Sequence, residues 1–241
     1  MSEIRRIDLN GVNCYLVKCV NSFILFDTGG HIAMDQQFTN RRGLLLKELD
    51  AAGCTEKNLS LIMLTHGDND HTCNAAYLRE HFNAKIAMNG SDRELVENPT
   101  LQLWMESYRY QSFELQQMFL QYQNVITKVT QKMLDEFERF SPDILLEDGF
   151  DLSPYGFDAT VIHLPGHTKG SVAILTKRGE LIAGDTIVNI DKPGTSPNAS
   201  DFTQLADSIN KLKNLTIETI YPGHGKMLTK GDVPFLSPFK A

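Results

Sequence analysis

Short apolar runs and helical patterns alternate along the chain, and they do so in both halves. Runs rich in β-branched and aromatic residues predict strands at 12–18, 22–26, 59–64, 85–88, 159–164, 172–176, 181–183 and 217–221. Between them, apolar residues spaced three and four apart predict helices at 44–52, 75–81 and 202–212. Alternation of this kind predicts an α/β fold in which helices cover the sheets.

The segment from about 99 to 140 differs from the rest because its apolar residues keep the helical period throughout. The residues that define this period are Leu101, Trp104, Tyr108, Leu115, Met118, Tyr122, Ile126, Val129, Met133 and Phe137. One helix over all of it would be implausibly long, so we expect two helices with a break near Gln111 and Ser112. We therefore predict a single domain over 1–241 with a helical insertion at about 99–140.

A helical face packed on the core accounts for roughly half of the insertion's large side chains. The aromatic excess predicts either a lid or one wall of a pocket, and the same surface is where a homodimer contact is expected. The side chains in question are Trp104, Met105, Tyr108, Tyr110, Phe113, Met118, Phe119 and Tyr122.

Composition and charge narrow the function classes. The chain of 241 residues carries a net charge of −7, so it offers no general electrostatic attraction for nucleic acid or an anionic membrane. No apolar run approaches the roughly 20 residues that span a bilayer, and the first ten residues lack the apolar core of a signal peptide. Four cysteines without a C-x-x-C pair predict reduced, mostly buried thiols, and we expect a cytoplasmic protein.

The loop after the strand at 59–64 carries the main chemical signal. It reads Thr-His-Gly-Asp-Asn-Asp-His over 65–71 and places two imidazoles, His66 and His71, beside two carboxylates, Asp68 and Asp70. Such a cluster repels itself and is hard to desolvate unless a cation lies at its centre. Imidazole and carboxylate are ordinary ligands of divalent metals, so the loop predicts a metal site, with a solvated polar loop as the alternative.

Three further polar residues follow apolar strands in glycine-containing turns. They are His167 in Gly-His-Thr, Asp185 in Gly-Asp-Thr and His224 in Pro-Gly-His-Gly. Each turn is a weak signal alone, but loops at one edge of a sheet scaffold are where ligands converge from distant parts of a chain. All four segments in this order predict one shared site.

Together these segments resemble the motif set of the metallo-β-lactamase superfamily. The set comprises an early Asp-Thr-Gly (here at Asp27), the loop His-x-His-x-Asp-His, Gly-His-Thr-x-Gly-Ser from Gly166, Gly-Asp-Thr from Gly184 and the closing Pro-Gly-His-Gly from Pro222. The resemblance covers nearly the whole chain except the helical insertion. It implies a four-layer αββα sandwich with two divalent metal ions along one edge.

The resemblance also implies a role for each matching residue. His66, Asp68 and His167 would hold the first ion, whereas Asp70, His71 and His224 would hold the second, with Asp185 between the two. A water or hydroxide between the ions would be the nucleophile, and Asp70 would orient it as the catalytic residue. Zinc is the first expectation, with iron or manganese as alternatives.

Position 68 departs from the common pattern, because it is Asp where the family usually has His. A working carboxylate ligand would favour harder ions such as iron or manganese, whereas a degraded site would hold one ion or none. The change also keeps a diiron oxidoreductase open as an alternative, since the flavodiiron proteins carry a carboxylate at this position. Theirs is Glu, however, and a flavodoxin domain follows it, whereas this chain ends soon after His224.

These observations lead to the expected function, which is metal-dependent hydrolysis of an ester-type bond (ester, thioester or lactone) in a small molecule. A phosphodiesterase is a further alternative that the net charge disfavours. The chain is too short for the C-terminal helical domain of glyoxalase II enzymes, so a glutathione thioester is not assigned. His31, His81, His163 and Lys169 are not assigned to the site, and Thr168 and Ser171 are expected only to shape their turn.

Overall fold

A computed structural model of the chain describes residues 3–32, 37–107 and 109–236. The first sheet has six strands in sequential order, antiparallel over the first three and parallel from the third onward. They are β1 (Glu3–Asp8), β2 (Asn13–Lys18), β3 (Phe23–Phe26), β4 (Leu59–Met63), β5 (Lys85–Asn89) and β6 (Ile144–Leu146).

The second sheet has five strands, and a separate two-stranded ribbon lies between its members in sequence. The strands of the sheet, in spatial order, are β13 (Leu228–Thr229), β12 (Thr219–Pro222), β9 (Glu180–Gly184), β8 (Val172–Thr176) and β7 (Ala159–His163). The ribbon pairs β10 (Ile187–Asn189) with β11 (Pro193–Thr195).

Helices connect the parallel strands. They are α1 (Arg42–Ala51), α2 (Asn69–Thr72), α3 (Ala75–Phe82), α4 (Arg93–Glu97), α5 (Leu101–Met105), α6 (Phe113–Glu136) and α7 (Phe202–Lys213). Helix α7 shows how the sequence sets a boundary, because the Asp201 carboxylate accepts the backbone N–H groups of Thr203 and Gln204 at 2.8 and 3.0 Å. Among the described helices, none combines the length and the apolar character that crossing a bilayer requires.

Three apolar clusters define four layers. The central cluster joins the two sheets face to face, for example Phe26 and Met63 of the first with Val161 and Ile182 of the second. A second cluster packs α1, α3 and α6 on the outer face of the first sheet, and a third packs α7 on the outer face of the second. The predicted αββα sandwich is therefore confirmed.

The strand directions bring the chemically important loops to one edge. Strands β3, β4 and β5 are mutually parallel, so the loops after Phe26, Met63 and Asn89 leave the first sheet on the same side. Strands β7, β9 and β12 likewise share one direction, which places the loops that lead to His167, Asp185 and His224 together.

The helical segment is the crossover between β5 and β6. It contains two main helices with a break before Phe113, as the sequence predicts. The Ser112 hydroxyl caps the second helix by accepting Leu115 N–H. Tyr108 lies outside the described residues. Whether this crossover is an insertion within a single domain stays a prediction.

The burial of α6 differs from the predicted apolar face in its first half. Met118 and Tyr122 are exposed, and every residue from 120 to 125 is exposed as well, so this stretch packs on no layer of the fold. The predicted face is realised further along, where Ile126 and Met133 are buried and Phe137 follows them into the core. A homodimer contact through the exposed half stays a prediction.

Candidate metal centre

The first sheet supplies four of the predicted ligands from one loop. After β4 the chain runs through His66 to Asp68, whose backbone carbonyl opens helix α2 by accepting the N–H groups of His71 and Thr72 at 3.0 and 3.1 Å. The Asp68 carboxylate makes no capping hydrogen bond. It is therefore free to point, with Asp70 and His71, at the edge of the sandwich.

The second sheet supplies the remaining three ligands from three separate turns. His167 follows β7, Asp185 follows β9 and His224 follows β12. The last two turns approach closely, because Gly223 N–H donates to the Gly184 carbonyl at 2.8 Å. A Cβ at position 223 would overlap the Asp185 carboxylate, so only glycine fits there.

All seven predicted ligands meet in one cluster. His66, Asp68 and His167 form one group and Asp70, His71 and His224 another, and within each group the ligand atoms lie within 4.8 Å of one another. Asp185 lies between the groups, with its oxygens 3.3 Å from His71 Nε2, 3.1 Å from His224 Nε2 and 3.9 Å from His167 Nε2. This division is the one that the resemblance implies, and Asp68 takes its place in it.

Each histidine of the cluster is held by its Nδ1 atom. His71 Nδ1 lies 2.9 Å from Asp27 Oδ2, His167 Nδ1 lies 3.0 Å from the Asn198 carbonyl, and His224 Nδ1 contacts the Gly11 carbonyl. His66 Nδ1 lies 2.9 Å from the Thr65 hydroxyl, which itself donates to Asp27 and so accepts from the ring. The four partners therefore favour the Nδ1–H form, which leaves each Nε2 lone pair free for a metal.

The electrostatics of the cluster also fit divalent ions. His66 Nε2, His167 Nε2 and Asp185 Oδ1 are buried and make no hydrogen bond within the described part of the chain. His71 Nε2 and His224 Nε2 face each other at 3.4 Å, which two lone pairs tolerate when a cation lies between them. Three carboxylates and four imidazoles without a basic side chain are a donor set for metal ions.

The pKa values show how strongly these groups interact. Burial and the neighbouring histidines lower the pKa of His66 to about 3. Burial alone would lower the pKa of His167 and His224 too, but neighbouring carboxylates outweigh it and raise both values to about 9. Asp68 and Asp185 raise the pKa of His167, whereas Asp185 and Asp70 raise that of His224. Burial would raise the pKa of Asp185, but His224 and His71 outweigh it and hold that pKa well below its usual range.

Two further aspartates support the ligand loops. Asp27, the aspartate of the early Asp-Thr-Gly motif, has three contacts. Its carboxylate accepts Thr65 N–H and Thr65 Oγ1–H at 2.8 Å each and lies 2.9 Å from His71 Nδ1. Sequence reasoning missed Asp92 altogether. Its one feature in common with the candidate ligands is its position, because it is a polar residue that follows a strand end, in the 3-10 turn after β5.

Asp92 joins the loop of His66 to the loop of His167. Its carboxylate accepts Gly67 N–H at 2.9 Å, Thr168 Oγ1–H at 2.6 Å and Gly170 N–H at 2.7 Å. A Cβ at Gly170 would lie 2.6 Å from the Asp92 Cγ, so this approach requires glycine. Burial raises the pKa of Asp92 to about 6.

A cavity of about 180 Å³ opens beside the cluster. Helices α5 and α6 contribute Trp104, Thr130 and Met133 to its wall, and the ribbon and its turn contribute Val188 and Ile190. The insertion therefore forms one wall of the pocket through Trp104 and Tyr110, while Phe113, Met118 and Tyr122 are exposed.

Of the residues that were not assigned to the site, only His31 lines the cavity. His163 donates to the Lys169 carbonyl at 2.9 Å, and His81 stacks on Tyr77. Thr168 and Ser171 hydrogen-bond each other within their turn at 2.8 Å. His31 is buried, lines the cavity and lies 3.1 Å from Glu136 of α6.

Comparison with known proteins agrees with this geometry. The family model described as the metallo-beta-lactamase superfamily matches residues 7–224. The chain is 25% identical over 211 residues to a probable metallo-hydrolase of Methanocaldococcus jannaschii, covering 86% of this chain and 88% of that one. It is 28% identical over 187 residues to the hydroxyacylglutathione hydrolase GloC of Haemophilus influenzae, covering 76% of each.

A human relative and a solved structure extend the comparison. The acyl-coenzyme A thioesterase MBLAC2 of Homo sapiens is 22% identical over 236 residues, which cover 89% of this chain and 73% of that protein. The crystal structure of the BLEG-1 B3 metallo-beta-lactamase superposes with a TM-score of 0.68 at 22% identity, over 98% of this chain and 99% of that one. The chain therefore belongs, as an enzyme, to the metallo-β-lactamase superfamily of hydrolases.

Proposed function

We propose that the chain hydrolyses an ester-type bond of a small molecule, with thioesters as the first class to test. The observation that carries the proposal is the arrangement of His66, His71, His167 and His224, each anchored at Nδ1 and free at Nε2 around three carboxylates. Relatives named as a hydroxyacylglutathione hydrolase and an acyl-coenzyme A thioesterase support the choice of thioesters.

The seven side chains are proposed to hold two divalent ions, with zinc first and iron or manganese as alternatives. Such ions would activate a water molecule and polarise the scissile carbonyl. Asp70 borders the cavity and is placed to orient that water by accepting its hydrogen bond. Trp104, Met133 and Val188 form an apolar wall against which the acyl part of the substrate would pack.

The first experiment measures metal content by elemental analysis of protein purified without added metal, together with its absorption spectrum. About two zinc or manganese ions per chain, with hydrolysis of a member of an ester, thioester and lactone panel, would support the proposal. A metal-replete protein that hydrolyses none of them would contradict it.

The role of Asp68 is tested separately. Asp68→Ala should remove one ion per chain, because His66 and His167 alone are a weak site, whereas Asp151→Ala alters an exposed carboxylate that only caps a turn and should remove none. Unchanged stoichiometry and affinity in Asp68→Ala would show that this carboxylate is not a ligand.

A diiron oxidoreductase is the second candidate, and Asp68 is the observation that favours it. A third carboxylate beside Asp70 and Asp185 suits harder ions than an imidazole would. Two irons per chain that cycle between redox states, in a protein inactive on the ester panel, would place this candidate first.

A further inference from the structure

Among the described residues, the wall of the cavity contains no lysine or arginine, and its histidines are His31 and the proposed ligands His167 and His224. Its apolar members are Ile32, Trp104, Tyr110, Met133, Val188 and Ile190. Its other uncharged members are Ser107, Thr130, Ser196, Pro197 and Asn198, beside Asn69 of α2. The carboxylates that border it, Asp68, Asp70 and Asp185, all belong to the proposed ligand set.

Lys132 and Arg109, which adjoin the lining residues Met133 and Tyr110 in sequence, do not themselves line the cavity. The Lys132 ammonium lies 3.7 Å from the centre of the Phe38 ring, on another side of α6 from the cavity-lining Met133. Arg109 is exposed, and its backbone carbonyl accepts Ala199 N–H at 3.1 Å. The Nε2 of His31 faces the Glu136 carboxylate at 3.1 Å, so it is not a free cation for a substrate.

This lining discriminates between substrates by charge. A carboxylate at the far end of the acyl chain, away from the proposed ions, would lose its hydration against Trp104, Met133 and Val188 without a lysine or arginine to pair with, and that exchange is unfavourable. An uncharged acyl chain would instead bury apolar surface against the same residues. The volume of about 180 Å³ lies below the roughly 300–1,000 Å³ of most ligand pockets, which suits a short chain.

We propose that the cavity selects thioesters and esters whose acyl group is short and uncharged, and that Ile190 at its mouth is a specificity-determining residue. Ile190 lines the cavity yet keeps 61% of its surface exposed, in the turn after β10. A charge placed there would meet the entering acyl group while remaining hydrated. This inference rests on the proposed function, because it concerns the substrate of the same site.

The test compares two substrates that differ only at the end of the acyl chain. Butyryl and succinyl thioesters of N-acetylcysteamine share the same uncharged thiol, but succinyl ends in a carboxylate where butyryl ends in a methyl group. We expect the metal-loaded protein to show a kcat/KM for the butyryl substrate that is about 30- to 100-fold higher. A wild-type protein that favours succinyl, or that does not discriminate, would overturn the inference.

The second part of the test introduces a positive charge at the mouth of the cavity and measures whether the preference moves towards the succinyl substrate. Ile190→Lys should raise the ratio of succinyl to butyryl kcat/KM by about 10-fold, because the new ammonium would pair with the substrate carboxylate. Val20→Lys is the matched control, since Val20 is 90% exposed in the turn between β2 and β3 and does not line the cavity. It should leave the ratio as in the wild type.

The possible failures are distinguishable. If the metal-loaded protein hydrolyses neither thioester nor any other member of the ester panel, the proposed function fails and the inference fails with it. If it hydrolyses them but the ratio in Ile190→Lys equals that in Val20→Lys, the inference alone is wrong. Metal content and melting temperature, measured on both variants, show that the comparison is made between folded proteins.

Discussion

Asp92 shows how much a single buried side chain can contribute to a site without touching its centre. Its three accepted hydrogen bonds link Gly67, one residue after His66, to Thr168 and Gly170, which flank the turn after His167. His66 and His167 belong to the same proposed ion site but to different sheets. Asp92 therefore sets the distance between them, as residues around metal ligands commonly do.

Asp92→Ala should lower the free energy of unfolding by about 3 kcal/mol or more, because it leaves buried donors without an acceptor. It should also lower the affinity for the ion held by His66 and His167 by about 10- to 100-fold, relative to the affinity for the other ion. Titration of the metal-free protein with zinc in a calorimeter measures the two affinities, and urea denaturation measures the free energy of unfolding. Asp232→Ala is the control, because it removes an exposed carboxylate that caps a turn near the end of the described residues and should leave the zinc affinity unchanged.

The histidines predict a pH dependence for the metal-free protein. The folded pKa of His167 and His224 is about 9, above the unfolded value of about 6.5. Their contribution to stability is therefore complete below pH 6.5 and is lost as the pH rises through about 9. We expect the free energy of unfolding to fall by on the order of 3 kcal/mol for each histidine over this window.

Urea denaturation of the metal-free protein at pH 6.5 and pH 9 measures this loss. The metal-loaded protein is the comparison, because nitrogens that hold an ion bind no proton and so cannot contribute the same loss. A metal-free protein that is equally stable at both pH values would contradict the assignment of raised pKa values to these histidines.

At the scale of elements, the turns after β9 and β12 approach each other so closely that Gly223 has no room for a side chain. Gly223→Ala should abolish binding of at least one ion and destabilise the fold, because its Cβ would overlap the Asp185 carboxylate. Gly43→Ala is the matched substitution in helix α1, where nothing lies within 4 Å of the new Cβ. It should stabilise the protein by about 1 kcal/mol without changing metal content, as alanine favours a helix.

Thermal unfolding and elemental analysis of the two variants provide the measurement. Retention of two ions per chain by Gly223→Ala would mean that the turn after β12 can move away from Asp185. The comparison with Gly43→Ala separates the loss of space from the loss of backbone freedom, since both variants add the same methyl group.

The elements that the sequence predicted well are those whose pattern is local. Strands such as β4 and β8 carry continuous apolar runs, and the ligands follow strand ends, so both could be read from the chain. Strands β6, β10, β11 and β13 have two or three residues each, too few for any period to be recognised. Strand β1 was missed because its apolar residues Ile4 and Ile7 are three apart, which is not the strand period.

The remaining differences depend on the tertiary structure. The exposure of Tyr122 and Val125 depends on where α6 runs relative to the sandwich, and the helical period alone carries no such information. Asp92 belongs to no recognisable motif, and its hydrogen-bond partners are 25 to 78 residues away in sequence. The seven candidate ligands could be named from the sequence because each lies in a recurring motif, whereas Asp92 does not; that the seven bind metal stays a prediction.

At the scale of the whole molecule, ions bound only by the folded chain must stabilise it. With free metal at about 100 times the dissociation constant, the gain is about 2.7 kcal/mol per site. For a chain of this size that corresponds to a rise in Tm of about 5–10 °C. Removal of both ions by a chelator should therefore lower the Tm by about 10–20 °C, as measured by differential scanning calorimetry.

The same chelator should not change the Tm of protein already stripped of metal, which controls for direct effects of the reagent. A Tm that stays constant while elemental analysis shows the ions to be gone would mean that they do not bind the folded chain more tightly than the unfolded one.

The division of the seven side chains between the two sheets has a consequence for how the molecule is cross-linked. His71 and His224 are 153 residues apart in sequence, yet their Nε2 atoms face each other across the sandwich. An ion shared between them would close a loop longer than most disulfides close, and it would restrict the unfolded chain in the same entropic way. Unlike a disulfide, this link opens when metal is scarce. The rate at which proteases degrade the protein would then rise as the concentration of free metal falls. Local opening would begin at the edge that carries the site, where the two sheets would no longer be linked.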